Sequence, residues 1–180
     1  MILNDEDLWE LVRLGYLPED VTIGPSSVDL TLDGVFLRPK PQKYGPSSLY
    51  YTQRMTESLH YQRIEKDRYL LKPAEFVLAT TKEKVRIPNY LAASVAGRSS
   101  VGRLGVQVQN AGFIDAGFEG QITLELHNQT FYSIELMAGV RICQLVFYKM
   151  TNESRNPYRG KYLHQSGPTG SRLYLETNAD

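Results

Sequence analysis

Beyond Gly15 the chain shows no helical periodicity. It carries short apolar runs cut by turn residues, a pattern that few folds satisfy. "SSVDLTL" alternates Val28, Leu30 and Leu32 against Ser27, Asp29 and Thr31, as a half-buried strand does. "YLLK", "EFVLATT", "KVRI" and "YLAASVA" follow, separated by Pro73, Lys82–Glu83 and Pro88–Asn89. "QITLEL" alternates again, "FYSIEL" reads as a strand, and "VRICQLVFYKM" is long and apolar enough for a buried one. Many short strands with turn signals between them predict an all-β sandwich or barrel. A parallel α/β fold needs long helices alternating with strands, and the sequence offers none.

One short helix precedes the strands. Asn4 is a candidate N-cap with Asp7 three residues on; Leu8, Leu11 and Val12 recur at helical spacing, and Gly15 can stop the helix. Two regions depart from the strand pattern. Residues Pro39 to Arg63 hold three prolines and four tyrosines and read as an irregular excursion. The tail from Thr151 onward is polar and glycine-containing, and is expected either to be disordered or to act as a mobile flap over a ligand. With 180 residues the chain is expected to form a single domain, 1–180.

Charge and cysteine content narrow the function. Lys+Arg and Asp+Glu both number 20, which argues against a nucleic acid as partner, since polyanion binding needs a basic surface. A small anion held by a few arginines stays open. The lone Cys143 excludes an internal disulfide and, among apolar neighbours, reads as a buried, inert thiol. His60, His127 and His164 have no zinc-ligand spacing. The acidic start "MILNDEDLWE" lacks the apolar stretch of a secretory leader, and no apolar run reaches membrane-spanning length. The expected location is the cytoplasm, with no membrane partner.

Four places carry candidate chemistry. "GRSSVGRLG" sets Arg98, Ser99, Ser100 and Arg103 among glycines. Such a stretch suits a compact phosphate, with backbone N–H groups and guanidinium forks as donors, or it is a turn with solvated arginines. Glu125 lies on the polar face of "QITLEL" with Gln121 and Thr123; it is either a solvated carboxylate or a general acid/base in a cleft. In a cleft, desolvation raises its pKa and a nearby arginine lowers it. Asp115, framed by Gly112, Gly117 and Gly120, is a turn-former or a carboxylate that holds a sugar hydroxyl or a water. Phe118 is either core or a platform for a sugar. The tail "YRGKYLHQSGPTGSR" offers Tyr158, Lys161, Tyr162, Gln165 and Arg172, or is simply a solvated basic tail.

The motifs "GPSSVDLTL", "AGRSSVGRLG", "AGFIDAGFEGQITLEL", "GVRICQLVF" and "GKYLHQSGPTGSR" run in order from residue 24 to 172. They resemble the dCTP deaminase branch of the dUTPase superfamily. The resemblance implies a distorted, jelly-roll-like dUTPase-type β-sandwich. It also implies a homotrimer with active sites between subunits, closed by the tail at residues 151–180. Arg98, Ser99 and Ser100, with the backbone of Val101 and Gly102, would hold the triphosphate. Tyr158, Lys161 and Gln165 would complete the cradle, with Gln144 a further candidate. Mg²⁺ would arrive on the phosphate oxygens.

Zinc cytosine deaminases carry a His-x-Glu and Pro-Cys-x-x-Cys signature, which this chain lacks. The resemblance therefore implies zinc-independent deamination. Glu125 would shuttle protons between water, ring nitrogen and departing ammonia. Ser99 and the carbonyl of Ala111 would position the water, and Arg103 would orient Glu125. Thr123 and the backbone of Leu124 would read the base edge, and Phe118 would crowd a 2′-hydroxyl. The interval from Arg98 to Asp115 is one residue short for a deaminase. Gln109 and Asn110, the latter also counted as nucleotide-binding, replace the histidine and threonine common there. Both features resemble dUTPases, in which the aspartate matching Asp115 activates a water for attack on the α-phosphate. The expected activity is conversion of dCTP through dUTP to dUMP, with dTTP as a feedback inhibitor. The alternatives are a monofunctional deaminase, a dUTPase and a non-catalytic nucleotide sensor.

Overall fold

Asn4 caps the first helix as its side chain requires: Oδ1 accepts the Asp7 N–H at 3.0 Å. Helix α1 (Asp5–Arg13) carries Asp5, Glu6 and Asp7 in its first turn and Arg13 in its last, each opposing the helix dipole favourably. Leu8 and Leu11 are buried, and the helix ends before Gly15, whose φ of 72° is the left-handed conformation that breaks it. The structure is a computed structural model and describes residues 1–41, 60–109 and 112–175.

The strands are β1 (Thr22–Ile23), β2 (Val28–Thr31), β3 (Val35–Pro39), β4 (Tyr61–Glu65), β5 (Arg68–Leu71) and β6 (Phe76–Arg86). After them come β7 (Leu91–Gly97), the one-turn helix α2 (Ser99–Gly102), β8 (Val106–Val108) and β9 (Phe113–Ile114). The last three are β10 (Glu119–Asn128), β11 (Ile134–Met137) and β12 (Arg141–Lys149). Two five-stranded sheets form, in the orders β1-β2-β12-β7-β9 and β4-β3-β6-β10-β8, with β5 and β11 as a separate pair. All pairings between these strands are antiparallel. Apolar residues of both sheets enter one core: Leu30, Ala93 and Phe147 from the first meet Phe36, Ala79 and Leu126 from the second. This is the expected sandwich.

Three local expectations need correction. "EFVLATT" and "KVRI" form the single strand β6, because Lys82–Glu83 makes a bulge where a turn was expected. Glu83 is buried there, and its carboxylate accepts the Thr31 N–H at 2.9 Å and the Thr31 hydroxyl at 2.6 Å. The excursion has ordered ends: Pro39 closes β3 and Tyr61–Arg63 opens β4, while residues 42–59 lie outside the described set. The expected turn after Gly97 is α2, a turn of helix. Cys143 is fully buried, and burial pushes its thiol pKa up to about 12, so it is inert as expected.

Candidate active site

Strand β10 places the first half of the site. Ile122, Leu124 and Leu126 point into the core, leaving Thr123 and Glu125 on the opposite face. That face floors a cavity of about 460 Å³. Phe76, Leu78, Phe113 and Ile114 supply apolar walls. Asp115, Phe118, Thr123, Leu124, Glu125, Tyr158 and Gln165, all expected site residues, line this one space.

Glu125 is half-buried among these walls. Desolvation raises its pKa, opposed more weakly by a hydrogen bond to its own backbone. A carboxylate desolvated this way holds a proton more readily than a solvated one, which suits a group that must take and return protons. Asp115 is exposed at the rim, in a turn closed by the Phe118 N–H on the Asp115 carbonyl at 3.2 Å. Phe118 is buried and packs at a tilt against Tyr158, with ring centroids 6.0 Å apart. It is therefore both core and cavity wall. Gly117, at φ 87°, must be glycine on contact grounds too: a Cβ there would lie 2.5 Å from Pro157. The start of the tail lies against this turn, and the Tyr158 N–H reaches the Ala116 carbonyl at 2.7 Å.

The second half of the site lies at the end of the other sheet. In α2, the N–H groups of Val101 and Gly102 bond the Arg98 carbonyl, and the Arg103 N–H bonds that of Ser99. These donors are used inside the turn, and the segment instead presents side chains and the first N–H groups of Ser99 and Ser100. Ser99, Ser100 and Arg103 are exposed. Arg98 Nε lies 3.2 Å from Oδ1 of Asp29, in a geometry too bent for a hydrogen bond. Arg141 Nη1 donates to the other oxygen of Asp29 at 2.9 Å, and the Arg98 guanidinium also reaches the Arg141 carbonyl at 3.3 Å. Gln144 stands across from Asp29 in the β2–β12 register and donates to the Ser27 hydroxyl at 3.2 Å. Arg98 and Gln144, distant in sequence, thus share one polar cluster.

Within one chain the two halves stay apart. None of Arg98, Ser99, Ser100, Val101, Gly102, Arg103, Gln144 and Lys161 lines the Glu125 cavity. No arginine or lysine lines it at all among the described residues, so its charged groups are the carboxylates Asp115 and Glu125. Asn110 and Ala111 lie outside the described residues. Lys161 sits 5.6 Å from the Tyr162 ring, and its carbonyl accepts from the Arg172 guanidinium. Sequence reasoning singled out neither Asp29 nor Arg141 as site residues. Their pairing is set by the β2–β12 register and leaves no local signal. Among the described residues no three His, Cys, Asp or Glu side chains are grouped to hold a metal ion, and no helix is long and apolar enough to cross a membrane.

The β-sandwich itself matches a known class. The solved structure of 2′-deoxycytidine 5′-triphosphate deaminase from Agrobacterium tumefaciens aligns with a TM-score of 0.62 at 24% identity, over 81% of this chain and 47% of that one. The fold is of the dCTP deaminase type. The family model described as dCTP deaminase-like matches residues 2–150, and the chain belongs to that family. Among similar proteins is a "dCTP deaminase, dUMP-forming" of Sulfurihydrogenibium, 44% identical over 98% of this chain and 99% of its own. Proteins of the same description in Persephonella marina and Aquifex aeolicus are 44% and 39% identical, each over 98% of this chain.

Proposed function

We propose that this protein deaminates dCTP and cleaves the dUTP formed in the same site, releasing ammonia, pyrophosphate and dUMP. The observation that carries this reading is Glu125: half-buried, raised in pKa, and on one cavity with Asp115 and Phe118. The full-length relatives described as dUMP-forming support it.

In the first step Glu125 takes a proton from water as the water oxygen attacks C4 of cytosine. That proton passes to the ring nitrogen; Glu125 then carries the proton of the new C4 hydroxyl to the amino group, the C4–N4 bond breaks, ammonia leaves and C4 becomes a carbonyl. Ser99 and the Ala111 carbonyl hold the water, and Arg103 orients Glu125. In the second step a water near Asp115 attacks the α-phosphorus, and the bond to the β-phosphate oxygen breaks. Each step consumes one water. Thr123 and the Leu124 backbone read the base edge, and Phe118 beneath the sugar crowds a 2′-hydroxyl, so CTP is a poor substrate.

A triphosphate cannot sit against Asp115 and Glu125 unaided. The arginines that would neutralise it lie on a separate cluster of the same chain. A second copy must bring its Arg98, Ser99, Ser100 and Arg103, with Gln144, to the first copy's cavity, which is the reason for a homotrimer. Mg²⁺ would enter with the nucleotide, held through its phosphate oxygens. Bound Mg²⁺ would neutralise phosphate charge. dTTP, with the same triphosphate, would compete for the site and stabilise a form without the attacking water.

Product analysis of purified protein with dCTP and Mg²⁺ tests the proposal. Ammonia and dUMP in equal amounts support it. Accumulating, persistent dUTP reduces the protein to a monofunctional deaminase. No ammonia removes the deaminase reading and leaves a dUTPase or a nucleotide sensor.

A further inference from the structure

Several residues of the body hold the tail, and Gln121 bonds it at more points than any other. Gln121 on β10 is buried, and each of its polar groups has a partner. Its N–H donates to the Gln165 carbonyl at 3.0 Å, and its carbonyl accepts Gln165 Nε2 at 2.7 Å. Its side-chain oxygen accepts the Gly167 N–H at 2.7 Å and the Ser166 hydroxyl at 3.3 Å. Its Nε2 donates to the carbonyls of Thr81 at 2.8 Å and Lys82 at 3.2 Å, with Asp33 Oδ2 at 3.5 Å. The amide orientation is fixed by chemistry: a carbonyl can only accept and a peptide N–H can only donate. The β6 bulge therefore holds the nitrogen end and aims the oxygen end at the tail.

The backbone around this contact is shaped for it. A Cβ on Gly120 would come within 2.9 Å of the Gln165 carbonyl oxygen, so the tail lies directly on the strand. Gly167 delivers its N–H from φ 71°, a conformation costly for other residues. Two residues further on, the Thr169 N–H reaches the Thr123 hydroxyl at 3.1 Å, two positions before Glu125. Gln165, Thr169, Gly170 and Ser171 then form part of the cavity wall.

We propose that Gln121 is a positioning residue that latches the tail as a wall of the Glu125 cavity, so that substrate meets a shaped pocket. The proposal rests on the reading of that cavity as the nucleotide site. Gln121 would act through residues 165–171 and touch no substrate. Removing either side of the latch leaves buried polar groups unpaired and favours release of the tail.

The test uses the full chain as Gln121→Met, Gly167→Ala and the double variant. Each single change is expected to speed tryptic cleavage at Lys161 and Arg172 and to raise KM for dCTP about tenfold, the factor of one lost buried contact. Because both changes break one contact, the double variant should be no worse than the worse single. Gly167→Ala alters only the tail and decides the question alone if Gln121→Met does not fold. Wild-type protease resistance and KM in Gly167→Ala, or fully additive losses in the double variant, would overturn the latch. Proteolysis reads the latch without turnover. A released tail in the variants of a protein that never deaminates dCTP would sink the assigned activity and leave the latch standing.

Discussion

The Asp29 carboxylate, 9% exposed, stands between two arginines, 3.2 Å from Arg98 and 2.9 Å from Arg141. Arg98 is thus held in place before any phosphate arrives, which lowers the ordering cost of binding. Asp29→Asn keeps the shape and removes the charge. Thermal or urea unfolding should show a loss of about 1–2 kcal/mol, modest because both arginines are partly exposed. KM for dCTP should rise about tenfold. Unchanged KM would mean that Asp29 supports the sheet and not the arginine.

Glu125 should leave a signature in stability as well as in rate. Its folded-state pKa is raised by desolvation, so the folded protein binds this proton more tightly than the unfolded chain. Its stabilising contribution is complete below the ordinary carboxylate pKa and is lost as pH rises through the raised value. Glu125→Gln cannot ionise there. The variant should melt above the wild type at pH 8, and the gap should shrink toward pH 4. Deamination should fall roughly 10²–10⁴-fold, the usual contribution of a positioned acid/base group.

Asp115 and Glu125 share a cavity, and the proposed mechanism gives them different bonds. Asp115→Asn, assayed separately with dCTP and dUTP, is expected to lose dUTP cleavage by about 10²-fold or more while ammonia release continues. The variant would then accumulate dUTP from dCTP. Equal loss of both activities would assign Asp115 to binding.

The proposed site, shared between copies of a trimer, predicts complementation. Arg98→Ala and Glu125→Gln are each expected to be nearly inactive alone. Mixed trimers, formed by co-expression or by denaturing and refolding the two together, should regain deamination, because some interfaces receive an intact Arg98 cluster and an intact Glu125. Mixtures that stay inactive while trimers form would place both residues in one chain's site.

The sequence was most informative where the determining contacts are local. Asn4 and Asp7 are three residues apart, and the cap they predict is present. The alternation of Ile122, Leu124 and Leu126 fixes which way Glu125 faces, so β10 was legible with its candidate acid. Lys82–Glu83 misled because its compensation is distant: Thr31, across a sheet contact, satisfies the Glu83 carboxylate and turns an expected break into a bulge. Asp29 and Gln121 were hidden for the same reason. Each looks like an outward polar residue of an alternating strand. Each is buried by groups far along the chain, Arg98 and Arg141 in one case and the tail in the other. Strand existence follows from periodicity, whereas the choice of partners, and with it the arrangement of the site, follows from long-range register.

The most direct measurement is a turnover of dCTP in water enriched in heavy oxygen, with the dUMP product examined by mass spectrometry. Deamination and phosphate cleavage each draw oxygen from a separate water, so the account predicts dUMP labelled twice, once at C4 of the base and once on its phosphate, from the first turnover onward. Label at C4 alone, carried on dUTP that persists in solution, or no label in the base at all, would contradict it.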